Sequence, residues 1–163
     1  MKKLFFILVA VVCFSVANAQ EKGSMAAGVN LNLGFAYPGS YSNVGLGAKF
    51  QYSFTDHIRI EPAFTYFFKK DYLSMWDLMA NVHYVFPMAN DKLNLYPLAG
   101  LGVLGAKASV LGYSSSTTDF GINLGGGVEY KITKSIALGA EVKYQIVSDY
   151  GHMGIQIGAT YRF

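Results

Sequence analysis

Eight ionisable side chains are the residues of this sequence whose types could do chemistry. They are three glutamates, two lysines, two arginines and one histidine, at Lys49, Arg59, Glu61, His83, Glu129, Glu141, Lys143 and Arg162. Carboxylates beside basic side chains can form ion pairs with them, gate a passage or line a path for cations. Arg59 and Glu61, like Glu141 and Lys143, stand two positions apart, which places both members of each set on one face of a β-strand.

Other chemistries find less support in the sequence. His57, His83 and His152 are far apart and provide no spacing for two metal ligands, so we expect neither a metal nor a cofactor. Ser148, Asp149 and His152 include the residue types of a hydrolytic site, but a polar hairpin turn has the same composition. We therefore predict that the protein is not an enzyme.

Alternation of apolar and polar residues is the main structural signal, and it recurs eight times. It predicts strands near residues 24–37, 42–54, 58–69, 74–86, 93–105, 118–130, 136–147 and 151–163. Each of these exceeds the roughly 9–11 residues with which a tilted strand crosses a bilayer. The fold class predicted is all-β, an eight-stranded antiparallel up-and-down transmembrane barrel. Pro62 and Pro97 fall within strands, where we expect bulges.

Parity separates a continuous apolar face from a face that carries the eight ionisable residues. A soluble barrel would turn the apolar face inward and cover its outside with large charged side chains. Here the polar face holds many glycines, such as Gly47 and Gly125, which leave volume as a narrow interior requires. The sequence therefore favours polar residues in the lumen and apolar residues against lipid. Aromatic residues concentrate near both ends of the strands, as interfacial belts do.

The first 19 residues have the pattern of a cleavable secretory signal. Lys2 and Lys3 precede an apolar stretch too short to span a bilayer, and Ala17-Asn18-Ala19 fits a cleavage site. A lipoprotein signal at Cys13 is disfavoured because Val12 precedes it. We predict removal of residues 1–19 and a single barrel domain over residues 20–163, which contains no cysteine.

Composition excludes two further classes of protein. Only 14% of residues are charged and the formal net charge is +3, which falls near neutrality once the signal is removed, so we expect no nucleic-acid partner. After the signal, no run of 18 apolar residues follows, which excludes a helical membrane protein.

The external loops hold the candidate for contact with a partner. With both termini expected in the periplasm, the longest external loop is residues 106–117. Lys69 and Lys70 at the same rim could meet lipopolysaccharide phosphates.

Three segments give the sequence a family resemblance. They are the terminal Tyr161-Arg162-Phe163, residues 130–136 (Tyr-Lys-Ile-Thr-Lys-Ser-Ile), and residues 96–102 (Tyr-Pro-Leu-Ala-Gly-Leu-Gly). The chain resembles the small eight-stranded outer-membrane β-barrel family of Gram-negative bacteria, the porin-like, OmpA/OmpX-type barrel domain. The resemblance implies that the barrel-assembly machinery recognises the last strand, with Tyr161 and Phe163 as the assembly signal.

The function predicted is that of an integral outer-membrane protein with a structural or surface-interaction role. Its lumen would be a largely packed polar network formed by the eight ionisable residues. The alternative is a narrow porin-like channel for small solutes or ions. We expect a monomer in contact with outer-membrane lipids and lipopolysaccharide. The sequence names no ligand or external partner.

Overall fold

The computed structural model describes residues 22–37, 41–70, 73–89, 92–110, 113–147 and 151–163. These residues form strands throughout, connected by turns: β1 Met25–Tyr37, β2 Tyr41–Ser53, β3 Ile58–Lys70, β4 Leu73–Tyr84, β5 Phe86–Met88, β6 Leu93–Val110, β7 Tyr113–Lys131, β8 Ile136–Val147 and β9 Gly151–Arg162. The part of the chain that the structure describes contains no helix long and apolar enough to cross a membrane. The predicted signal peptide lies outside the described residues.

The strands close into one antiparallel barrel. Apart from β4 and β5, consecutive strands pair with each other, β1 pairs with β9, and β4 pairs with β6 to complete the ring. The short β5 continues β4 along β6 in the same register, so β4 and β5 together occupy one strand position and the barrel is eight-stranded. Closure leaves none of the described strands with an open edge, which a sheet in lipid requires because lipid cannot hydrogen-bond a free edge. The predicted fold class is confirmed.

Residues alternate between the lumen and the outside, and the predicted orientation of the two faces is confirmed. Inward-facing Glu61, His83 and Asn123 are 0% exposed, whereas outward-facing Val29 and Ile157 are 61% and 63% exposed. Aromatic side chains surround both ends of the wall. Tyr84 and Phe86 pack at 4.9 Å near the end with the termini, and Phe64 stacks on Trp76 at 6.5 Å toward the opposite end.

The predicted loop over residues 106–117 is wrong. β6 continues to Val110 and β7 begins at Tyr113, and the two stay paired from Ala106 with Thr117 to Val110 with Tyr113. Alternation could not predict strands here because residues 114–118 are serines and threonines, which do not alternate in polarity. Strand pairing uses backbone groups, so a run of hydroxyl residues extends the hairpin as well as an alternating one does.

The bulges expected at Pro62 and Pro97 are also absent from the described strands. Pairing between β2 and β3 stops after Lys49 with Ala63 and resumes at Tyr52 with Ile60 in unchanged register. Opposite Pro97 the ladder likewise breaks between β4 and β5 without a shift. Proline lacks an N–H, so the ladder loses bonds there without gaining a residue. At the second break, the turn before β3 replaces the lost partner, since Val85 donates its N–H to the His57 carbonyl at 2.7 Å.

Candidate functional site in the barrel lumen

Glu129 on β7 is the centre of the network near the end of the barrel that carries the termini. Its Oε2 accepts a hydrogen bond from Arg59 Nη1 at 3.0 Å, and its Oε1 pairs with Arg162 Nη2. Asn94 Nδ2 also donates to Oε1, at 3.2 Å. The residues come from β3, β6, β7 and β9, so one carboxylate links four strands across the lumen.

Glu61 and Glu141 form two further ion pairs deeper in the lumen. Lys49 Nζ lies 3.1 Å from Glu61 Oε2, which also accepts a 2.7 Å hydrogen bond from Gln51. Lys143 Nζ lies 3.0 Å from Glu141 Oε1. Both carboxylates are nearly inaccessible to solvent, and charges at such sites require counterions. All eight ionisable residues predicted for the lumen are therefore brought together there.

Tyr96 was not among the predicted site residues, yet it joins the deeper ion pairs to Arg59. Its hydroxyl donates to Glu141 Oε2 at 3.0 Å, its ring stacks on His83 at 4.6 Å, and the Arg59 guanidinium carbon lies 4.9 Å from the ring centre. A Cβ on Gly127 would lie 2.6 Å from the Tyr96 hydroxyl, so this glycine makes the room. Strand parity alone, with Asn94 and Leu98 turned inward beside it, could have indicated Tyr96.

Glu61, His83 and Glu141 each offer a ligand atom, and these atoms lie within 4.8 Å of one another. The donor chemistry nevertheless fits a metal poorly. A guanidinium has only donors, so His83 Nδ1 accepts from Arg59, at 3.1 Å from Nη2, and the ring proton must occupy Nε2. Nε2, which lies 3.9 Å from Glu61 Oε1, is then a donor rather than a ligand. Lys49 and Lys143 already neutralise those carboxylates, and we assign the cluster to the ion-pair network.

The other two histidines lie apart from this cluster. His57 Nδ1 is 3.1 Å from the Val85 carbonyl, in the turn before β3. His152 is buried at the start of β9, with its ring edge-on to Phe67 at 5.7 Å. Ser148 and Asp149 lie outside the described residues. Of the site considered for Ser148, Asp149 and His152, the described residues therefore include His152 alone.

Apolar side chains and narrow cavities complete the lumen. Val85, Tyr96 and Leu98 form one buried cluster, and Phe67, Met75 and Leu104 form another toward the end opposite the termini. Narrow cavities of about 20 Å³ each lie at two places in the described lumen, one bordered by Arg59 and Arg162 and one by Asp77 and His152. That volume holds about one water molecule. Polar contacts between strands, such as Asn123 Nδ2 to Asn81 Oδ1 at 3.0 Å, also cross the lumen.

Comparison with known proteins identifies the architecture. Residues 4–163 match the family model described as outer membrane protein beta-barrel domain. The structure is similar to Ail, the attachment invasion locus protein of Yersinia pestis, with TM-score 0.65, 22% identity and coverage of 87% of this chain and 99% of Ail. Ail has also been solved with the heparin analogue sucrose octasulfate.

Two further solved structures show the same fold. Neisserial surface protein A aligns with TM-score 0.70, 18% identity and coverage of 86% and 96% of the two chains. The N-terminal barrel domain of Pseudomonas aeruginosa OprF aligns with TM-score 0.68, 16% identity and coverage of 87% and 100%. No curated protein sequence matches this chain significantly. Likeness at these identities concerns the fold alone, which leaves the role to be argued from the chain's own residues.

Proposed function

Because the chain belongs to the outer membrane protein β-barrel domain family, we propose that it acts at the cell surface through its protruding hairpin and not by conducting solutes. In this proposal the barrel is a monomeric anchor in the outer membrane. Its termini face the periplasm, and the β6–β7 hairpin faces outward. Tyr161 and Phe163 serve as the signal that the barrel-assembly machinery recognises.

The observation that carries the proposal is the packing of the lumen. Ion pairs and hydrogen bonds join opposite strands at several depths, from Arg59 with Glu129 near one end to Gln145 with Asp77 near the other. An eight-stranded barrel is just wide enough for its own side chains, and here those side chains contact one another. We infer that the charged residues hold the wall together, with no catalytic role and no cofactor.

The hairpin supplies the surface for contact. β6 and β7 have 18 and 19 residues, against 12 in both β4 and β8. Among the described pairs, β8 pairs with β7 only from Gly121 onward, so residues 113–120 of β7 extend past it by about 27 Å at 3.4 Å per residue. On its other side the hairpin stays paired with β4 as far as Ala108. Lys107, Ser116 and Thr117 are exposed. The sulfated analogue bound by Ail suggests an anionic partner, which Lys69 and Lys70 would also favour.

A narrow channel is the second candidate function, and one observation favours it. Several buried polar atoms in the described lumen have no protein partner, among them both side-chain atoms of Asn30 and Oδ1 of Asn94. Such atoms are usually satisfied by water, and a continuous file of water would conduct. The apolar clusters and the separation of the two cavities weigh against a continuous file.

Planar-bilayer conductance of the folded protein distinguishes the two functions. We expect no discrete current steps, from protein shown to be folded by its heat-dependent shift on a gel. Glu141→Gln, which removes the counter-charge of Lys143, should be equally silent if the lumen is packed. Steps in the native protein that change in size or ion selectivity in Glu141→Gln would contradict the proposal and establish the channel.

A further inference from the structure

An apolar groove of about 390 Å³ lies on the outer surface across β1, β9 and β8, near the end with the termini. Its lining residues are Ala27, Gly28, Val29, Ile136, Ala159, Thr160 and Tyr161. Ala27 pairs with Tyr161, and Val29 pairs with Ala159. The two alanines are thus diagonal neighbours on adjacent strands, and they form one depression between larger side chains.

Exposed lysines precede two of the three strands that form this groove. Lys134 is exposed in the turn before β8, two residues from Ile136 in the groove wall. Lys22 is exposed just before β1. Within the described turns at this rim, the acidic residue is Asp56, which lies between β2 and β3 and outside the three strands of the groove.

We propose that the groove binds one acyl chain of an anionic phospholipid, whose phosphate lies between Lys134 and Lys22. The groove opens on the surface that faces hydrocarbon, where no water competes for it and close packing with a flexible chain gains dispersion contacts. A lysine near the headgroups attracts anionic lipid. Tyr161 lies at the same level, where aromatic rings favour the interface. A second barrel would present a convex wall, which fits this shallow depression less completely than a flexible chain does.

Photolabelling in vesicles tests the site. The probe is phosphatidylglycerol with a diazirine in its acyl chain, present in trace amounts in phosphatidylcholine vesicles that contain the folded protein. Peptide mapping should find the label concentrated on β1, β8 and β9 near the groove. Ala159→Phe fills the depression from outside and should lose most of this label. Ala80→Phe, at an exposed alanine on β4 across the barrel, is the matched control and should keep it.

The charge requirement is tested separately. Lys134→Gln should lower groove labelling by the phosphatidylglycerol probe about fivefold, which corresponds to about 1 kcal/mol for one lysine beside the anionic headgroup. A phosphatidylcholine probe should be unaffected, and Lys107→Gln at the opposite rim should change neither.

Three results would overturn the proposal. They are equal labelling of all strands, labelling that survives Ala159→Phe, and cross-linking of two barrels through the groove, which would make a second copy the occupant. Ala159→Leu replaces the larger variant if that one fails the gel-shift test for folding. Folded protein with no label on any strand would contradict the membrane placement itself as well as the groove.

Discussion

Glu129 is the lumen residue whose removal should cost the most stability. Two guanidinium groups, those of Arg59 and Arg162, share its carboxylate, and Asn94 completes its contacts. Breaking a buried ion pair by removing one partner leaves a buried charge without compensation. The loss here would affect two charges at once.

We expect Glu129→Gln to lower the free energy of unfolding by about 3–5 kcal/mol. The measurement is a urea titration in phospholipid vesicles, followed by the fluorescence of Trp76, the only tryptophan. Asp56→Asn, in an exposed turn, is the control and should change stability by no more than about 0.5 kcal/mol. Equal losses in the two variants would show that the network contributes little.

At the scale of the strand, the outward face is apolar because it contacts lipid and must exclude charged side chains. Leu31 lies at the middle of β1, points outward and is 58% exposed in the absence of lipid. Its neighbours across the two ladders are Leu46 and Ile157. A charged side chain at this depth would have no polar partner on the outward face and would remain in hydrocarbon.

Leu31→Arg should therefore destabilise the barrel by about 2–4 kcal/mol, in the same urea titration. Ile132→Arg makes the same substitution at an exposed apolar residue in the turn after β7, at the level of the headgroups, and should cost about 0–1 kcal/mol. If the turn variant lost as much as the strand variant, the assignment of Leu31 to the lipid-facing surface would be wrong.

Strands and faces could be predicted from the sequence because alternation is imposed by lipid on one side and by the lumen on the other. The effect of the two prolines on the ladder could not be predicted, because the neighbouring strand decides whether a missing N–H causes a bulge or a gap in the pairing. Tyr96 was missed for a related reason: aromatic residues suit both the lipid interface and the lumen, and only strand parity distinguishes them. The ion pairs depend on register between strands far apart in sequence, which alternation does not specify.

For the molecule as a whole, the hairpin and the barrel are separable. Residues 113–120 of β7 pair with β6 alone among the described strands, so they contribute nothing to closure of the ring. A cut between Lys107 and Ser116 removes one pair of the β4–β6 ladder, Leu73 with Ala108, and leaves the remaining pairs of the ring in place. Lys107 and Ser116 are paired across it, which gives a point at which the two strands can be joined.

We expect a variant in which an Asn-Gly turn joins Lys107 to Ser116 to keep the unfolding free energy of the full chain. Cells that display the full chain should be retained on immobilised heparin, and cells with the shortened chain should not. Lys134→Gln, at the rim predicted to face the periplasm, is the control and should leave retention unchanged. Equal retention of the full and shortened chains would argue against a contact of the hairpin with sulfated glycans.

The pairing of β1 with β9 also affects the order in which the barrel folds. These strands come from the two ends of the described chain, yet they align from Ala26 with Arg162 to Tyr37 with Gly151. Contacts so distant in sequence form slowly, because the intervening chain must be ordered before they repay its entropy. The ring should therefore close last, and until then both terminal strands present free edges that other chains could pair with. Folding intermediates, rather than the finished barrel, are where this protein is most exposed to aggregation.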